Sequence, residues 1–303
     1  MGVHPHLGTY QDANGIRAGC LIEDQTLDPW CSIITVTYNS RAALEEFWSG
    51  AHPMPLGVEW IVVDNGSIDG SADLARSLGA TVVIERNANL GFSSSNNVGF
   101  RAARGAFIGF VNPDIRMDFS DLSELNSVAE AKSAIVSPQL MNADSSLQPN
   151  GRGFPLLGDK IRNRLGDEAR LLGQYLLYAE SSEPRAVCWL MGASIFATRA
   201  TFERIDAWDP HFFLYYEDKD ICLRAWKAGF SVLLVPTAQW AHGWARETKS
   251  ASATPWKREI ASMVKFYGRY PEFLLGKKVA ARVNPRIDAA VFGYRSKNAT
   301  RSV

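Results

Sequence analysis

The sequence predicts an α/β fold built on a doubly wound, mostly parallel sheet, and three observations carry that expectation. Short runs rich in β-branched residues alternate with helix-spaced segments through the first third of the chain. Each run is apolar nearly throughout, as strands covered on both faces must be. Polar clusters fall at the carboxyl ends of these runs, where open α/β sheets bind their ligands.

The elements follow in order. Cys31-Ser-Ile-Ile-Thr-Val-Thr37 reads as a buried strand leaving the sheet at Tyr38-Asn39-Ser40. Arg41 to Trp48 places Leu44, Phe47 and Trp48 at helical spacing. Trp60-Ile-Val-Val63 is a second strand, ending at Asp64-Asn65-Gly66-Ser67. A helix from Ser71 to Leu78 stops at Gly79, and Thr81 to Ile84 is a third strand. Asn96 to Arg104 is helical up to Gly105, and Ala106 to Val111 is a fourth strand ending at Asn112-Pro113-Asp114. Beyond it, Ile135 to Leu140 reads as a strand, and 142–182 as loops with a charged helix near 159–180. Ala186 to Ala197 is a strand-like run broken at Gly192. Glu217 to Ala228 is a helix, Ser231 to Val235 a strand with His242 beyond it, and Trp256 to Tyr270 an amphipathic helix. Residues 1–29 read as an N-terminal extension, 30–275 as one domain, and 276–303 as a basic tail.

With 303 residues, 46% of them hydrophobic, the chain can bury a large core. Thirty-two Lys and Arg balance 32 Asp and Glu, so the basic excess of a nucleic-acid binder is missing and any anionic ligand must be held locally. Cys20, Cys31, Cys188 and Cys222 form no C-x-x-C pair and read as reduced thiols of a cytoplasmic protein. The N-terminus lacks the basic-then-apolar pattern of a signal peptide. No apolar run reaches the length of a membrane span. The tail cations Lys277, Lys278, Arg282, Arg286, Arg295, Lys297 and Arg301 allow either a peripheral contact with an anionic membrane or an ordinary solvated tail.

Four clusters carry chemistry. Asp64-Asn65-Gly66-Ser67 offers a carboxylate and an amide able to pair with a base imide, or else a turn that caps the next helix. Asn87 to Gly99, rich in Gly and Asn, runs into a helix whose first N–H groups can approach a diphosphate. Asp114 supplies an oxygen ligand for a hard dication, while Asn112 gives at most a neutral carbonyl; an Asx–Pro turn is the plain alternative. In His211-Phe-Phe-Leu-Tyr-Tyr216-Glu217-Asp218-Lys219-Asp220, an aromatic run suited to stacking a sugar meets three acids at a helix start. There the dipole favours carboxylates and keeps a general base ionised. His242, a structural histidine on its own, can complete a metal site with Asp114.

Taken in order, these segments resemble the inverting family-two glycosyltransferases of GT-A fold. Ser32 to Asn39 is similar to that family's opening strand, and Val62 to Ser67 to its base-binding turn. Asn87 to Gly99 is similar to its N-x-G-x(4)-N-x-G stretch, Asn112-Pro-Asp114 stands in the place of its D-x-D motif, and Phe212 to Arg224 resembles its E-D-x-D-x-C-x-R motif. Within the family the chain most resembles rhamnosyltransferases that use dTDP-L-rhamnose, which often carry N-P-D.

The resemblance implies a GT-A sheet with a nucleotide-sugar half (30–118) and an acceptor half (119–275) in one domain. It also implies nucleotide-sugar contacts at Thr37, Tyr38, Asn39, Asp64, Asn65, Asn89, Gly91, Asn112 and Asp114. A divalent metal, Mg²⁺ or Mn²⁺, would lie on Asp114 and His242. Asp218 would be the base, with Glu217 second, and Trp189, Met191, Gly192, Ala193 and Tyr216 would line the acceptor side. The expected substrates are a dTDP- or UDP-sugar and a glycan or lipid-linked glycan. A UDP-linked galactofuranose, glucose or N-acetylglucosamine donor is an alternative, as are a non-catalytic nucleotide- or carbohydrate-binding protein and a nucleotidyltransferase. The last would need a Gly-rich signature before Cys31, which is missing.

Overall fold

A computed structural model describes residues 28–50, 53–179, 181–243 and 253–293. Nearly all of the N-terminal extension and the end of the tail lie outside the described residues. Four strands, β1 (Cys31–Thr37), β2 (Val58–Asp64), β3 (Val82–Glu85) and β4 (Phe107–Val111), run parallel in the order β3-β2-β1-β4. Between them lie α1 (Arg41–Trp48), α2 (Ser71–Ser77) and α3 (Phe92–Ala102). β1, β2 and β4 are buried along almost their whole length, which is why they read as continuous apolar runs. Helix α3 begins four residues before the expected Asn96, directly after Gly91.

The second half extends the same sheet but mixes directions. β5 (Ile115–Arg116), α4 (Leu122–Lys132) and β6 (Ala134–Met141) come first. The short β7 (Gly151–Arg152), β8 (Leu176–Leu177) and β10 (Trp189–Leu190) form a separate three-stranded sheet. β9 (Arg185–Ala186) and β11 (Ser194–Thr198) return to the main sheet, and β12 (Ser231–His242) completes it. β11 runs antiparallel to both β4 and β6, β12 runs parallel to β6, and β5 pairs antiparallel with the end of β12.

Two expectations change here. The strand expected over Ser231–Val235 continues to His242, because a register shift between Val235 and Gln239 takes Pro236, which has no N–H, out of the ladder. The charged helix expected near 159–180 is two pieces, α5 (Leu157–Arg164) and α6 (Glu168–Leu171), separated by Gly166 at φ 77°.

α7 (Arg199–Arg204), α8 (Glu217–Lys227) and α9 (Ala253–Arg269) cover the second half. α10 (Lys277–Val283) and α11 (Pro285–Val291) follow, with Ala280, Ile287 and Val291 buried, so the stretch read as a basic tail begins as two packed helices.

Asp220, fully buried, ties α8 to α9. Its carboxylate accepts from Arg224 Nε (2.7 Å), Arg269 Nη1 (2.7 Å) and the Tyr270 hydroxyl (2.9 Å). Arg224 also donates to the Ile205 and Ala207 carbonyls, so one carboxylate anchors the chain leading into the acidic helix. Removing it leaves Arg224 without a carboxylate and Tyr270 without its acceptor, and leaves Arg269 only Asp209. Asp220→Ala is expected to lose about 3 kcal/mol of stability, read as a lower urea midpoint at unchanged slope.

Candidate active site

The carboxyl ends of β1, β2 and β4 open on one edge of the sheet. Thr37 stands in register with Asp64 and donates its hydroxyl to Asp64 Oδ1 (2.8 Å), while the Ser67 N–H donates to Oδ2 (2.9 Å). Asn39, at φ 51°, accepts from the Ile68 N–H at 3.0 Å. The Asn65 amide donates to Asn89 Oδ1 (2.8 Å) and accepts from the Leu90 N–H (2.9 Å), and Asn89 Oδ1 also accepts from the Gly91 N–H (3.1 Å). The two polar clusters separated in sequence are therefore one network. Asp64 and Asn65 are buried in it and shape the turn, whereas the Tyr38 ring beside them is exposed. Gly91, at φ 93°, lies so close to the Phe213 backbone that a Cβ would come within 2.8 Å of its carbonyl oxygen. The Phe92 N–H donates to that same oxygen at 2.7 Å. This contact docks the start of α3 against the loop that leads into α8.

Asn112, Pro113 and Asp114 leave β4 in a turn. The Asn112 N–H donates to the Ala193 carbonyl (2.9 Å), and the Asp114 carbonyl accepts from the Gly243 N–H (2.8 Å). Pairing of Ile115 with His242 brings the imidazole to the carboxylate across 128 residues of chain, with Nε2 3.4 Å from Asp114 Oδ2. The buried Gln148, which the sequence did not single out, fixes the ring. Its Nε2 donates to Asn142 Oδ1 (3.0 Å), so its Oε1 accepts from His242 Nδ1–H (2.6 Å). That tautomer leaves the Nε2 lone pair facing a carboxylate oxygen, and Asp114 Oδ1 is buried without a partner. Two lone-pair donors converging with nothing between them suit a dication that takes its remaining ligands from phosphates. Among the described residues no group of three His, Cys, Asp or Glu could hold a metal by itself.

The three acids of α8 have separate fates. Tyr215 and Tyr216 are both left-handed, at φ 68° and 71°, and turn the chain sharply into the helix. Glu217 points inward, is buried, and has an unpartnered Oε2. Burial, reinforced by the charge of Asp218, pushes its carboxyl well above the usual carboxylate range, against the expectation that a helix start would keep it ionised. Asp220 is the structural latch. Asp218 alone is partly open: its Oδ1 accepts from its neighbour's N–H (2.8 Å) and from Lys219 Nζ (3.2 Å), which leaves Oδ2 for another proton.

The run between β10 and β11 joins the two centres. Ala193 holds Asn112, and the Cα of Gly192 backs onto Asp218, where an added Cβ would touch the Asp218 Cβ at 3.4 Å. Met191 and Gly192 are half-buried. Trp189 and Tyr216, expected to line the acceptor side, are buried. Lys219 Nζ covers the Trp189 ring at 3.8 Å, and Tyr216 packs on Phe266 while its hydroxyl meets Lys160. Phe212 is likewise core. Lys219 and Lys160, like Gln148, were not singled out from sequence. Lysine is ordinarily a solvated surface residue, and only the fold turns these two onto the rings.

Among solved structures the chain is similar to GalNAc-T7 with UDP, GalNAc and Mn²⁺. The TM-score is 0.57 at 15% identity, covering 84% of this chain and 52% of that one. It is also similar to the mannosyltransferase PcManGT of Pyrobaculum calidifontis in complex with GDP-Man and Mn²⁺. There the TM-score is 0.57 at 16% identity, covering 89% and 71%. At these identities the likeness establishes the fold, that of the GT-A glycosyltransferases.

Residues 32–174 match the family model of Glycosyl transferase family 2. The chain is 28% identical over 243 residues to the N-acetylglucosaminyl-diphospho-decaprenol L-rhamnosyltransferase of Mycobacterium tuberculosis, covering 71% of this chain and 76% of the relative. It is 26% identical over 190 residues to rhamnosyltransferase WbbL of Escherichia coli, covering 59% and 70%. Residues 32–174 thus form a family-two glycosyltransferase region, in a chain that is related to the rhamnosyltransferases.

The raised Glu217 carboxyl has a measurable consequence. A carboxyl that holds its proton more tightly when folded adds stability that is complete below the ordinary glutamate range. That stability is lost as pH climbs from there through the raised folded value. Glu217→Gln, which mimics the neutral acid, is expected to flatten that fall; urea unfolding of both proteins across this pH range checks it.

Proposed function

We propose that the chain transfers L-rhamnose from dTDP-L-rhamnose, with inversion, to a hydroxyl of a lipid-linked glycan or cell-surface polysaccharide. The observation that carries this reading is the placement of one partly open carboxylate, Asp218, beside the Asn112–Asp114 turn through Gly192 and Ala193. The donor sugar rests on the two relatives named as rhamnosyltransferases. A donor panel that includes UDP-sugars tests it.

In this reading the donor base lies against Tyr38 and the turn that Asp64 and Asn65 hold together, and the diphosphate lies between Asn89–Gly91 and Asp114. The acceptor reaches Asp218 past Met191 and Gly192. The acceptor oxygen attacks the anomeric carbon from the side opposite the nucleotide, its proton passes to Asp218 Oδ2, and the bond from carbon to the diphosphate oxygen breaks. A divalent cation, Mg²⁺ or Mn²⁺, on Asp114 and His242 would offset the charge that grows on the departing diphosphate. Gln148 keeps the His242 lone pair aimed at that position. Gly192 leaves room at the Asp218 side chain, and Lys219 steadies the carboxylate against a single rotamer.

No described helix is long and apolar enough to cross a membrane.

Two variants separate the roles. Asp218→Asn is expected to lower turnover by about 10²- to 10⁴-fold while the donor still raises the melting temperature. Near-normal turnover would remove Asp218 as base. Asp114→Ala is expected to abolish both donor-induced stabilisation and its dependence on Mn²⁺ or Mg²⁺. A metal-dependent shift equal to that of the wild type would remove Asp114 from the site.

A further inference from the structure

Helices α5 and α9 carry apolar residues outward as well as inward. On α9 the inner face carries Phe266 and Tyr267, with Tyr270 just past its end, all buried. Its outer face presents Trp256, Ile260 and Val264 at four-residue spacing. Ile161 of α5 lies across the groove from Trp256 and Ile260, and these three side chains are 51%, 44% and 52% exposed. The two outer faces meet in one groove, with Lys160, Arg164 and Glu259 on its walls. Adjacent exposed aliphatic and indole side chains on two helices form a patch that calls for a partner.

The charge around this patch is net positive. Lys160, Arg162, Arg164 and Lys257 stand against Asp159 and Glu259. Arg258, Lys265 and Arg269 of α9 are instead engaged with the Phe213 ring, the His211 carbonyl and the Asp209 and Asp220 carboxylates. Glu259 is already paired to Lys160 at 2.7 Å and to Arg164. Arg164 also stacks on the Trp256 ring at 4.3 Å, while Arg162, paired to Asp159 at 3.0 Å, and Lys257 are exposed. An apolar strip including a tryptophan, flanked by long cationic side chains, is the composition of a surface that lies in a lipid headgroup region. The aliphatic groups enter the acyl boundary, and the cationic heads reach anionic headgroups.

We propose that the outward face of α5 and α9 is a docking surface for an anionic lipid bilayer. This rests on the reading of a lipid-linked acceptor, and it assigns the membrane contact to this face rather than to the basic residues from Lys277 onward. The face is also close to the chemistry. Lys160 on the groove wall contacts the Tyr216 hydroxyl and lies 4.1 Å from the ring centroid, and Lys219 Nζ lies 4.7 Å from the same centroid while pairing with Asp218. One tyrosine ring therefore separates the groove from the proposed base. A bilayer on this face would present its headgroup-level sugars next to Asp218.

The test uses the full chain with vesicles of phosphatidylcholine containing phosphatidylglycerol, and vesicles of phosphatidylcholine alone, in a cosedimentation assay. The wild type is expected to bind the anionic vesicles and to release as salt is raised. The double variant Ile161→Glu/Ile260→Glu is expected to bind at least about tenfold more weakly, with an unchanged melting temperature and unchanged stabilisation by nucleotide sugar. Wild-type protein that ignores anionic vesicles overturns the proposal. So does binding that survives the double variant but is lost in Lys277→Glu/Lys278→Glu, which would move the contact to the tail. Self-association in sedimentation velocity that the double variant abolishes, without vesicle binding, would make the occupant a second copy and also overturn it. None of these results touches the transferase reading, which fails separately if no nucleotide sugar stabilises the wild type.

Discussion

The antiparallel pairing of β11 on β4 is the interaction on which the site depends. Ser194 stands opposite Val111, and the ladder runs one step further, where the Asn112 N–H meets the Ala193 carbonyl. The parallel half supplies the turn that ends in Asp114. The mixed half supplies the run from Trp189 to Ala193, which backs onto Asp218 through Gly192. Without that register the two carboxylates would belong to separate surfaces. The β5–β12 pair adds the third piece, since Ile115 opposite His242 places the imidazole at Asp114. A two-residue strand has little stability of its own. The long β12, parallel to β6 along most of its length, holds it in place.

Helix α8 shows how one acidic stretch is divided by packing. Successive residues on a helix point about 100° apart, which separates Asp218 from Glu217, whereas Glu217 and Asp220, three residues apart, lie on neighbouring positions and are both buried. Glu217 turns into the core and is held in its neutral form by burial. Asp220 turns toward α9 and is neutralised by Arg224 and Arg269. Asp218 is left at the opening with Lys219. The left-handed pair Tyr215 and Tyr216 sets this phase, because it fixes the direction in which the helix starts. Backbone strain of this kind persists only where packing holds it. Here that packing is Tyr216 against Phe266 and Tyr267, with Lys160 over its ring.

Lys160 links this packing to the outer surface. The same ammonium caps the Tyr216 ring, pairs with Glu259 and lines the apolar groove between α5 and α9. Core, site mouth and outer groove are thus mechanically continuous, and α9 serves all three through its inner aromatic face, its buried Glu259 and its outer aliphatic stripe.

The sequence by itself determined the parallel half. β1, β2 and β4 are buried on both faces, so their apolar runs and terminal polar clusters were legible without a partner, and Asp64, Asn65 and Asp114 fell where strand ends require. It also located the acidic helix and its candidate base. Only the tertiary structure decided the rest, because those outcomes depend on pairs distant in the chain. Gln148 sits in a loop-rich stretch with no local signal, and its role exists only because β12 delivers His242 to it. The aromatic run before α8 looked like a wall for a sugar, yet Phe212 and Tyr216 are core while Phe213 and Tyr215 stay half-buried, since burial follows from where α9 arrives. Glu217 and Asp218 are neighbours of identical charge and local propensity. Solvation, which no short-range pattern encodes, buried one, with its carboxyl pushed up, and left the other partly exposed.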